Sequence, residues 1–105
     1  MAQVEGILSL LPGGKKLVAL EVSSPTLVEG AVTVTLESVN KIDYVIGSIR
    51  DPDNADAEWI SMSYAVGEAA NAIDVTFQVG SATEWAAAET TDVADKIVSF
   101  LVIGA

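Results

Sequence analysis

The sequence predicts an all-β fold, a small antiparallel β-sandwich of about six strands with an N-terminal arm. Three observations predict it. After Gly30, apolar and polar residues alternate with a period of two in run after run. Turn-forming clusters separate these runs at short, fairly even intervals. Half of the 105 residues are hydrophobic but only 6% are aromatic, so the apolar content comes mainly from Val, Ala, Ile and Leu, a rich supply for a chain with room for one core.

The first 29 residues are the least regular. Val4 to Leu11 fits either a helix or a strand, Pro12-Gly13-Gly14 breaks the chain, and Leu17 to Val22 reads as a strand. This predicts an arm over 1–29 leading into a sandwich domain over 30–105. In the first clean run, Val32, Val34 and Leu36 point one way and Thr33 and Thr35 the other, the pattern of a half-buried strand. Between Ile42 and Ile49, Tyr44, Ile46 and Ser48 share one face and Val45, Gly47 and Ile49 the other. Both faces are partly apolar, which predicts a central position. Asp51-Pro52-Asp53-Asn54-Ala55-Asp56 is turn chemistry, because Pro fixes φ and Asp or Asn side chains satisfy nearby amides. Ile60, Met62, Tyr64 and Val66 then form the apolar side of a strand, and Gly67 to Asn71 form a turn. Ile73, Val75, Phe77 and Val79 make the clearest two-periodic run, closed by Gly80. Residues 81–95 contain a short run of helix formers around Trp85 and predict a loop with one helical turn. The final segment, Lys96 to Ile103, is apolar on both faces and rich in β-branched residues. It predicts a strand covered on both sides, at a sheet centre or a subunit interface.

Fifteen acidic residues against five basic ones (Lys15, Lys16, Lys41, Arg50 and Lys96) leave a net charge of -10, with no basic run. Such a surface repels a phosphate backbone, so no nucleic-acid partner is expected. Cysteine is absent, which removes disulfides and thiolate chemistry. The apolar stretch from Ile7 to Leu11 is too short to span a bilayer, and no membrane partner is expected. Glu5 precedes that stretch and Lys15-Lys16 follow it, the reverse of a secretory leader, so synthesis and assembly inside a cell are expected.

With no His and no Cys, Ser-His-Asp and Cys-His mechanisms are excluded, and no Gly-rich phosphate loop ending in Lys occurs. The chain is therefore expected not to be an enzyme and to use no cofactor. Asp53, Asp56 and Glu58 are close in sequence, as paired glycosidase carboxylates could be, but acidic residues in a turn are usually solvated. Asp51, Asp53 and Asp56 have the alternate spacing of oxygen ligands for a hard cation such as calcium. The run departs from an EF-hand loop at the sixth position, Asp56 in place of Gly, and at the twelfth, Met62 in place of Glu, so a turn rich in Asp is the stronger reading. The two tryptophans, Trp59 and Trp85, lack the basic neighbours of a nucleobase stack, and Trp85 is expected to be an exposed interface anchor.

From Gly30 to Gly104 the order of elements resembles the small sandwich of H-type lectin domains. The carrying segments are Val32-Thr33-Val34, Lys41-Ile42-Asp43-Tyr44-Val45-Ile46-Gly47, a turn, two alternating strands, and Val98-Ser99-Phe100-Leu101-Val102-Ile103-Gly104. The chain is also similar to the short, acidic, cysteine-free cement or decoration proteins encoded beside capsid genes of tailed bacteriophages. The first resemblance implies a homotrimer. The second implies a virion structural protein that binds the outer capsid surface, has the major capsid protein as partner, and is assembled in the host cytoplasm. On that expectation the partner-binding residues are Ile7, Leu8, Leu10 and Leu11 of the arm together with Trp85. A carbohydrate-binding tail or adhesin module and a self-assembling envelope protein are the alternatives.

Overall fold

The computed structural model describes residues 1–50, 59–80 and 84–105. Its strands in chain order are β1 (Ala2–Leu11), β2 (Lys15–Ser23), β3 (Ala31–Thr35), β4 (Ile42–Arg50), β5 (Trp59–Val66), β6 (Ala72–Gly80), β7 (Trp85–Ala87) and β8 (Ile97–Gly104). They form two antiparallel sheets. The first has the order β1-β2-β8-β4, and the second has the order β3-β6-β5 with β7 also paired to β6. The all-β sandwich expected from the alternation is the fold, with eight strands among the described residues in place of about six.

The two additional strands lie where local signals were weakest. β1 forms because its backbone pairs with β2 across the Pro12-Gly13-Gly14 turn, in which both glycines take positive φ. Leu8 is an extra residue in that ladder, a bulge between Ile7 opposite Val18 and Ser9 opposite Leu17. The segment expected to be an arm is therefore a hairpin built into the first sheet. Its second strand supplies Val18, Leu20 and Val22, all at most 2% exposed, to the core. β7 takes the Ala-rich run expected to hold a helical turn, because Ala86 and Ala87 pair with Val79 and Gln78 of β6. The helical turn is a 3-10 turn slightly later, at Thr90–Val93, where the Glu89 N–H donates to the Asp92 carboxylate at 2.8 Å.

Alternation decides what each sheet buries. Val98, Phe100 and Val102 of β8 join the β2 residues on one side of the core, and Ile73, Val75 and Phe77 of β6 face them from the other. Two glycines allow close approaches. Gly30, at φ +81°, accepts the Phe77 N–H through its carbonyl at 2.8 Å, while the Ala88 N–H donates to the Phe77 carbonyl at 3.0 Å. β3 and β7 thus share one edge of β6. A Cβ at Gly30 would lie 3.1 Å from both Ala87 Cβ and the Phe77 oxygen. Gly47 makes room for the Phe100 ring, which meets Tyr64 edge-on at 5.5 Å and 80°.

Candidate interaction surfaces

The outer faces of the two sheets have opposite character. On the β3-β6-β5 sheet, the residues pointing away from the core are polar or small: Thr33, Thr35, Asp74, Thr76, Gln78, Ser61 and Ser63, all exposed. That is the usual solvated side of an antiparallel sheet. On the β1-β2-β8-β4 sheet, the same side carries Val4, Tyr44, Ile46 and Leu101, which are 69%, 60%, 54% and 48% exposed. Half-buried Leu17 and Ile103 lie among them. A shallow trough of about 560 Å³ crosses this face, with Gly6, Ala19, Ser48 and Ser99 along it and Val4, Ile46 and Leu101 beside it.

Sequence reasoning placed one strand of this face, Lys96 to Ile103, at a sheet centre or a subunit interface, but did not join it to the outer side of β4. Adjacent strands β4 and β8 are both apolar on two sides, while a sandwich strand needs only one apolar side to make its core.

The expected partner-binding residues do not form one patch. Ile7, Leu8 and Leu10 are exposed near the turn of the hairpin, Leu10 most of all at 76%, whereas Leu11 is half-buried. Lys15 at the end of that turn pairs with Asp43, and the Lys15 ammonium holds the Asp43 carboxyl below the usual carboxylate range. Neighbouring Ile42 donates its N–H to Ala70, just before β6 begins. Trp85 pairs with Gly80, where β6 ends, and is 47% exposed. The steps from Ala72 to Gly80 at ~3.3 Å each put roughly 26 Å between the two ends of β6. The hairpin leucines and Trp85 therefore sit at opposite ends of a molecule 47 Å long.

β1 is tied to the end of β3 and the chain after it by hydrogen bonds from its inner side. Gln3 Nε2 donates to the Thr35 carbonyl at 2.8 Å, and the two oxygens of Glu5 accept the N–H groups of Glu37 and Ser38, each at 2.9 Å. Burial pushes the Glu5 carboxyl up, but hydrogen bonds from the Ser38 side chain and those two amides outweigh it and hold the group below its ordinary value.

The weak cation candidate, Asp51, Asp53 and Asp56, lies outside the described residues. Among the described residues no three His, Cys, Asp or Glu side chains are grouped as metal ligands would be. Phe100, in the closing segment that carries the lectin resemblance, is a core residue at 2% exposure. Comparison of the chain with protein-family models, with curated proteins and with solved structures finds no match.

Proposed function

We propose that this chain is a virion structural protein that binds the outer surface of a capsid and stabilises the shell by bridging adjacent capsid subunits. The observation that carries the reading is the pair of exposed apolar contacts at opposite ends of an elongated body. Leu8 and Leu10 stand at one end at 60% and 76% exposure, and Trp85 stands at the other at 47%. Isolated exposed leucines are ordinary on a protein surface, but two separated apolar contacts suit a module that touches two neighbours at once. A bridge of this kind needs no strong individual contact. Once one end is seated, the other rebinds at high effective concentration, so a shell under strain must break both contacts together. The acidic surface and the resemblance to capsid decoration proteins agree with this role.

The test is co-sedimentation with shells assembled from the major capsid protein of the same source. The wild-type chain should pellet with the shells and raise the temperature at which they come apart. Leu10→Glu and Trp85→Ala, each altering an exposed side chain, should weaken binding while the circular dichroism spectrum stays native. Absence of binding by the wild type, or full binding by both variants, would overturn the proposal.

A further inference from the structure

We propose that the outer face of the β1-β2-β8-β4 sheet is an isologous interface that pairs two copies of this chain, with a two-fold axis running along β8. This goes beyond shell binding, since it concerns a surface distinct from the two ends and needs no other protein.

Charge is the first argument for a second copy as occupant. The chain carries -10, yet among the described residues the charged side chains at this face are Glu21 and Arg50, together with the paired Lys15 and Asp43, whose charges cancel. It is the surface on which two such acidic chains can meet without opposing like charges. A strongly basic partner would instead find its complement elsewhere on the molecule.

The second argument is self-complementarity, which follows from the register. Leu101 of β8 lies between Ala19 of β2 and Ile46 of β4, and in the next row Ile103 lies between Leu17 and Tyr44. An axis along β8 lays β2 of one copy on β4 of the other. Ile46 of each copy then enters the trough above Ala19 of its mate, Tyr44 covers Leu17, and the Leu101 and Ile103 pairs meet on the axis. In each case large stands over small or apolar over apolar, the condition for two sheets to pack about 10 Å apart. The same operation brings Arg50 of one copy to within one row of Glu21 of the other, roughly 7 Å along the strand and within an arginine's reach.

Size sets the expected strength. With the axis along β8 the facing strands are β2, β8 and β4, and β1 overhangs. Three strands at ~4.8 Å spacing and eight residues at ~3.3 Å make a face of roughly 380 Å² in projection on each copy, smaller than a standard specific contact. The dimer should therefore dissociate on dilution.

The experiment is the solution mass of the purified chain by sedimentation across a dilution series. Expected is a dimer at high concentration that Leu101→Glu converts to a folded monomer, while Thr76→Glu, on the polar outer face of the other sheet, leaves it intact. Glu21→Arg and Arg50→Glu should each weaken the dimer, and the double swap should restore it. A wild type that stays monomeric, a trimer such as the lectin resemblance implies, or a dimer indifferent to Leu101→Glu would overturn the interface. Failure of the double swap to restore what the single changes lost would overturn the axis along β8. Because the purified chain is measured alone, failure here leaves shell binding standing, and failure of shell binding leaves the dimer standing.

Discussion

Glu5 shows how much one side chain can organise at a sheet edge. It sits on the inner side of β1, where alternation alone would place an apolar residue opposite Leu20, and it satisfies two backbone amides that follow β3. A carboxylate does this better than a neutral amide, because hydrogen bonds to an ionised acceptor are stronger. The consequence for pH has a definite sign. The native carboxyl titrates below its ordinary value of 4.5, so its contribution to stability is complete well above that pH and is lost as pH falls through the depressed native value. Glu5→Gln should be less stable than wild type at neutral pH, and the difference should shrink on acidification. Urea midpoints for both proteins across that range check this, and equal midpoints at neutral pH would show that the carboxylate contributes nothing.

At the scale of the element, the β1–β2 hairpin has two unlike halves. β2 is flanked by β1 and β8, and its fully buried residues Val18, Leu20 and Val22 alternate with less buried ones, so these three apolar side chains are core. β1 is an edge strand with exposed leucines near its end, anchored by Gln3 and Glu5. Leu20→Ala should therefore cost about 2 to 5 kcal/mol, as truncation of a buried leucine does, while Leu10→Ala should stay within about 0.5 kcal/mol of wild type. Denaturant unfolding of the two variants measures the contrast, and equal effects would contradict the placement. The same division bears on deletion. Removing residues 1–14 from a free arm would leave the body untouched, but here it removes a strand, opens the β2 edge and frees the amides of Glu37 and Ser38. Point changes at Leu8 and Leu10 are thus the cleaner probe of partner binding.

At the scale of the whole molecule, a net charge of -10 on a chain of 105 residues opposes compaction and association alike. Salt up to about 0.15 M brings the screening length to roughly 8 Å, so the midpoint of thermal unfolding should rise over that range. Calorimetry at low and physiological salt checks it, and a falling midpoint would mean that specific ion pairs outweigh the general repulsion. Much of the fold was legible in the residues themselves. Two-periodic runs such as Ile73-Val75-Phe77-Val79 can bury one face only as strands, and turn clusters divide them, so composition and spacing determined an all-β domain without His or Cys chemistry. β1 and β7 were not legible, since Val4 to Leu11 and the alanines after Trp85 have no decisive local preference and become strands only because β2 and β6 offer unpaired backbone edges. Of the site, the exposed leucines and Trp85 could be named from sequence, but not their separation. That distance depends on which strands pair, through contacts remote in the chain, and such pairing leaves no mark on local pattern. For the same reason, only the tertiary structure decided that the second apolar sides of β4 and β8 lie next to each other on one open face.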